Sequence, residues 1–241
     1  MTLSFSALLS FTLFLGAEEG GSQWLLRQLN DDAGWELKET LPDGRQYYEK
    51  VLPGLDLVAV ETAQKIDFKA KHILKSVEDV SRYGEFLTSA DAMECTLLRE
   101  DASTIFGYQY LSIPLVSDRH YVFKMRRQFV SAQGNEVVDW VLIPQDSEFK
   151  KVIAEGKAKK SSLVYLDKGA GVWRVRRDKE GALWASYRLY MDPGGWIPDA
   201  IVRRANKSGL LNLFADAIVE AKRRAKSETA KAIPATKSDS P

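Results

Sequence analysis

Apolar and polar residues alternate with a period of two through most of the chain, and with a helical period in a few places. A short helical stretch, Trp24 to Leu29, leads into Trp35 to Lys38. Pro42-Asp43-Gly44 reads as a turn before Gln46 to Val51, which predicts a hairpin. Pro53-Gly54 marks another turn, and Leu57 to Phe68 is a third extended segment. From Lys71 to Leu87 the period changes, with Ile73, Leu74, Val77, Val80, Tyr83 and Phe86 on one face of a helix or of two short ones.

Seven runs of strand composition follow: Met93 to Arg99, Thr104 to Ser112, His120 to Val130, Glu136 to Ile143, Ser162 to Leu166, Gly171 to Arg177 and Ala182 to Met191. Short links such as Gln133-Gly134-Asn135 and Lys179-Glu180-Gly181 favour antiparallel pairing, because parallel neighbours need long crossovers. A last helical block runs from Trp196 to about Arg224, with Leu210, Leu213, Phe214, Ala217, Ile218 and Ala221 in an apolar stripe and Gly209 placed to break or kink it. Ser227 to Pro241 reads as a solvated, disordered tail. The fold class this predicts is α+β: a curved antiparallel sheet wrapped around one long C-terminal helix, the helix-grip arrangement.

Composition narrows the chemistry. With 34 Lys and Arg against 33 Asp and Glu, the net charge of +1 lacks the field of a general nucleic-acid binder. The lone Cys95 can make no internal disulfide, and with only His72 and His120 there are too few soft ligands for an ordinary zinc site. Neither histidine lies in a nucleophile-elbow sequence, so hydrolytic catalysis is disfavoured and no cofactor is implied. Met1 to Ala17 is uncharged and rich in Leu and Phe, too short to span a bilayer comfortably, with small residues before Glu18. We expect a signal peptide and a periplasmic or secreted protein, the alternative being a membrane anchor formed by the same segment.

Two motifs carry a family resemblance. Ser117-Asp118-Arg119-His120-Tyr121-Val122-Phe123 and Met191-Asp192-Pro193-Gly194-Gly195-Trp196-Ile197-Pro198, continued by Ala205-Asn206-Lys207-Ser208-Gly209-Leu210, resemble the StAR-related lipid-transfer (START) domains of bacterial type. The likeness spans Trp24 to Lys226, and the element order agrees with it. In the second motif Pro193 ends a strand, Gly194-Gly195 permits a sharp reversal and Pro198 can start a helix. The family's usual Arg-Asp pair is Arg119-His120 here, and Phe86 stands where a tryptophan is common.

The resemblance implies a single lipid held without chemical change in a tunnel between sheet and C-terminal helix, in a protein expected to be a monomer. Alternation along His120 to Val130 puts Tyr121, Phe123, Met125 and Phe129 on the inward face and Arg126 opposite. Tyr187 has inward parity on the last strand, and Leu210, Phe214 and Ile218 close the tunnel from the helix. Phe123 and Tyr108 match family positions that contact lipid. Glu94 matches an acidic position used inside sterol-carrying members, although parity with Cys95 and Leu97 points it outward. Arg99, Arg119 and Arg126 complete the polar candidates for a lipid head group. Basic residues Arg203, Arg204, Lys207, Lys222, Arg223 and Arg224 would suit transient contact with an anionic membrane surface or simply solvate the helix. Two other readings stay open: an enzyme of a related helix-grip family, and an interaction module whose interior is filled by side chains.

Overall fold

The computed structural model describes residues 21–88, 93–112, 116–159, 163–195, 197 and 199–232. The signal-like segment, Trp196 and Pro198 of the second motif, and residues 233–241 of the expected tail lie outside these.

The hairpin forms as predicted: α1 (Ser22–Asn30) precedes β1 (Glu36–Thr40) and β2 (Gln46–Lys50), and β3 (Ala59–Ile66) pairs with β2. The helical interruption is α2 (Ala70–Glu78) followed, after a 3-10 turn, by the single turn α3 (Tyr83–Phe86). Then come β4 (Met93–Glu100), β5 (Thr104–Leu111), β6 (Arg119–Val130) and β7 (Glu136–Leu142). After them lie α4 (Lys150–Lys159), β8 (Val164–Tyr165), β9 (Gly169–Arg177), β10 (Leu183–Met191) and α5 (Asp199–Ala232). The sheet runs β1-β2-β3-β10-β9-β7-β6-β5-β4, antiparallel at every step, and the two-residue β8 adds to β6 in parallel. No described helix is long and apolar enough to cross a membrane.

Two differences from the sequence reading concern helices. The segment Lys150–Lys159 is helical, although its residues show no apolar stripe. It is seated through the buried Ile153 and through Gly156, where an added Cβ would stand 2.9 Å from His120 Nδ1. Helix α5 passes through Gly209 without interruption and continues to Ala232, six residues beyond the point where the tail was expected to begin. Lys71 and His72 of α2 hold this extension through Glu228, with His72 Nε2 3.1 Å from the carboxylate.

The sheet separates two cores. On its outer face Trp24, Leu25 and Leu29 of α1 pack on Ala59, Val137, Ala170, Val172 and Tyr190. Beside them Arg188 donates to Leu29 O at 2.7 Å and to Asp32 at 2.7 Å, while its Nε lies 3.1 Å from Glu61. These bonds satisfy the C-terminal end of α1. The inner, concave face carries Tyr121, Phe123, Met125, Val138, Trp140, Trp173, Ala185 and Tyr187, capped by Leu210, Phe214, Ala217, Ile218 and Ala221 of α5.

Glycines in the strands lower the floor of this face. Gly107 of β5 pairs with Phe123 of β6, and Gly171 of β9 pairs with Trp140 of β7. A Cβ on Gly171 would stand 2.5 Å from the Trp140 ring, and one on Gly107 would collide with the Phe123 ring. Each ring therefore covers bare backbone on the neighbouring strand instead of standing up toward α5, which is what a glycine in a strand interior permits.

Helix α5 is also fixed by charge. Buried Glu220 accepts from Arg223 at 2.6 Å and from Arg224 at 2.8 Å, and Arg224 reaches Asp79 at 2.7 Å. Hydrogen bonds from Arg223 hold the Glu220 carboxyl at about 2, below its usual range. A depressed carboxyl stabilises the fold fully above its ordinary pKa near 4.5 and loses that contribution as pH falls toward 2. Glu220→Gln should cost on the order of 2 kcal/mol at pH 7 and flatten the stability profile between those two pH values, as denaturant melts across the acid range would record. A second pair of variants tests the glycines: nothing lies within 4 Å of a Cβ added to Gly209, so Gly209→Ala should stabilise α5 by about 1 kcal/mol. In the same unfolding assay Gly171→Ala should destabilise by about 1–3 kcal/mol as Trp140 is displaced.

Candidate functional site: a lined hollow between sheet and helix

Between the concave face and α5 lies a cavity of about 320 Å³, at the small end of the range for ligand sites. Its floor is built by alternation along β6, which presents Arg119, Tyr121, Phe123 and Met125 in that order. Trp140, Trp173, Tyr187, Leu189 and Met191 extend the floor across β7, β9 and β10. Val77 of α2, Phe86 and Leu87 form one wall, and Asn206, Gly209, Leu210, Leu213 and Ala217 of α5 form the roof. Exposed Ser112 and Gly209 mark where the hollow reaches the surface.

The polar lining is sparse. Tyr121 OH donates to Gln109 Oε1 at 2.8 Å, and the Gln109 amide meets the sulfur of Met93, a weak acceptor. Burial pushes the Tyr121 phenol well above its ordinary pKa and raises that of Tyr187 too, so both remain neutral hydrogen-bonding groups. Cys95, on the inward side of β4, is pushed up to about 12 by burial and is an inert thiol.

Arg119 is the one charged side chain on the described lining, and only 2% of it is exposed. Its Nε donates to Pro193 O at 3.0 Å, its Nη2 to Gly194 O at 3.1 Å, and its Nη1 to Ser117 O. It thereby clamps the corner between β10 and α5, where Gly194 and Gly195 adopt φ of +61° and +67° as the sharp reversal expected from the motif requires. Burial lowers its pKa, against the opposing effect of Asp118. On the other flank Asp216 of α5 accepts from Thr88 N at 2.8 Å and Thr88 Oγ1 at 2.9 Å, tying the segment after α3 to the roof.

The structure brings Tyr121, Phe123, Met125, Tyr187, Leu210 and Arg119 together on the lining. It separates the others. Phe214 and Ile218 are buried beside the hollow, because Phe214 is stacked on Trp173 with centroids 5.8 Å apart. Tyr108 faces the opposite side of β5, its hydroxyl 3.1 Å from His120 Nδ1 beneath α4. Glu94 shares that outward parity and is exposed. Arg99 pairs with Glu148 at 2.9 Å and lies over the Phe106 ring, while Arg126 pairs with Asp139, all on the outer surface. A bulge between Arg126 and Phe129 reverses the parity of β6, so Phe129 joins the outer core with Val137. Sequence reasoning missed Gln109, Trp140 and Trp173. Inward parity along Ile105, Gly107, Gln109 and Leu111 was the available signal for Gln109.

No protein-family model matches the sequence, and no curated protein matches it. Solved structures do. A STAR-related lipid transfer protein fragment from Xanthomonas axonopodis superposes with a TM-score of 0.62 at 17% identity, covering 78% of this chain and 99% of that one. Human STARD10 gives 0.63 at 12% identity, covering 92% of this chain and 89% of the other. Human StAR-related lipid transfer protein 5 gives 0.59 at 11%, with 83% and 92% covered. Identities this low speak for architecture, and in architecture the chain is a START-like domain with the helix-grip fold.

Proposed function

We propose that this chain binds one hydrophobic lipid in the cavity and carries or senses it without chemical change. The observation that carries this reading is a hollow of about 320 Å³ walled by aromatic and aliphatic side chains, with a single charged residue near its mouth. Burial of hydrocarbon there is favourable by about 0.8 kcal/mol for each methylene removed from water. The described lining includes no carboxylate, histidine or cysteine, and the phenols of its Tyr121 and Tyr187, the remaining candidates for general acid–base chemistry, are pushed up by burial and stay protonated. Both histidines lie elsewhere: His72 faces Glu228, and His120 faces Tyr108 and Tyr165.

The carrier works as a monomer, exported through Met1 to Ala17 or anchored by it. Exposed Arg204, Lys222 and Lys226 on α5 favour brief contact with an anionic membrane surface, each contributing about 1 kcal/mol near such a surface.

Protein purified from its source and extracted for mass spectrometry is expected to release lipid at one molecule per chain. Protein that is always empty, and that takes up no lipid from vesicles, would overturn the reading. Ala217 is buried at the roof of the hollow, so Ala217→Trp should fill the site. Uptake should fall at least tenfold while the circular dichroism spectrum stays that of the parent.

A further inference from the structure

Resting on the lipid-binding reading above, we propose that the occupant is an anionic amphiphile. Its carboxylate or phosphate seats against Arg119 at the mouth, and its hydrocarbon runs inward along β6. The charge of Arg119 is the first reason. The side chain is almost wholly buried, its three hydrogen bonds all go to backbone carbonyls, and no ion pair among the described residues includes it. Asp118, the adjacent acid, accepts from Tyr110 OH and from Ser112 Oγ at 3.4 Å. The neighbouring Asp118 offsets part of the guanidinium's charge, and a desolvated cation still attracts an anion more strongly than one in water does.

Geometry is the second reason. A guanidinium has five N–H groups in a planar fork, and three carbonyls use three of them, which leaves two with no partner among the described residues. The fork is already held by Pro193, Gly194 and Ser117, so an incoming oxyanion meets donors that need little further ordering.

The order of residues along one strand is the third. The inward face of β6 passes from cation (Arg119) to phenol (Tyr121) to hydrocarbon-like rings and thioether (Phe123, Met125). Six residues at the usual strand rise give about 20 Å from the charged end to the apolar end. Gln109, opposite Tyr121, adds its amide to the polar third. A molecule charged at one end and apolar along its length matches this gradient. A wholly neutral lipid would leave Arg119 buried beside it with only the partial offset from Asp118, whereas an anion would meet its charge directly.

The test uses full-length protein stripped of lipid and titrated with dodecanoic acid, dodecyl phosphate and dodecanol, which share one chain and differ in head group. Both anions are expected to bind at least tenfold tighter than the alcohol at pH 8, and the tighter of the two identifies the head group. Arg119→Gln should bring all three to within about twofold of one another, chiefly by weakening the anions. Because Arg119 also clamps the β10–α5 corner, the ratio of acid to alcohol in the unmutated protein decides the matter if the variant does not fold. Equal affinities for the three probes overturn the proposal and leave the lipid-carrier reading standing. Uptake of none of them overturns the proposal alone if a neutral lipid is recovered from the purified protein, and both readings if none is.

Discussion

A stack of three rings decides how the helix can cover the sheet without filling the space beneath it. Trp173 of β9 lies parallel to Tyr187 of β10 with centroids 4.1 Å apart, and Phe214 of α5 stacks on the same indole at 5.8 Å. Aromatic side chains bury large areas at few points of contact, and the stack anchors α5 alongside its aliphatic and charged contacts. Once α5 is fastened there, its earlier turns from Asn206 to Leu213 need not press on the floor. The hollow lies under those turns and Ala217, and it persists because Phe123 and Trp140 are folded down over Gly107 and Gly171.

The order of strands and helices was legible because each element carries its own period, and because turns such as Gln133-Gly134-Asn135 announce themselves. Helix α4 was not, since half of Lys150–Lys159 is charged and, among its described side chains, it is seated on the sheet through Ile153 and the bare Gly156. Its stability comes from tertiary contact, which periodicity does not record. Parity placed Tyr121, Phe123 and Met125 correctly and failed at Phe129, where an unannounced bulge shifts the register by one residue and turns the face over.

Where alternation and family analogy disagreed, the geometry of the strand prevailed. Glu94 and Tyr108 were attractive because related domains use similar positions, yet the pairing of Cys95 with Gln109 and of Leu97 with Gly107 fixes the opposite face inward. Tyr108 then packs against His120 beneath α4, in a contact that Gly156 makes possible by lacking a side chain. Of the polar candidates only Arg119 reaches the cavity, and it does so from the end of a strand, where side chains meet the following corner as well as the sheet.

That position joins two properties of the molecule. The floor of the hollow is held by rings and hydrocarbon, whose packing is insensitive to small changes in ionisation. The mouth is held by a few polar contacts: Arg119 to the Pro193 and Gly194 carbonyls on one side, Asp216 to Thr88 on the other. The Arg119 contacts are ones that a ligand's head group could influence, whereas the rings that shape the cavity are not. An anion seated on Arg119 would add its charge at the very residue that fixes the strand-to-helix corner. Loading the hydrocarbon and steadying the entrance would then be one event, with no separate moving part required.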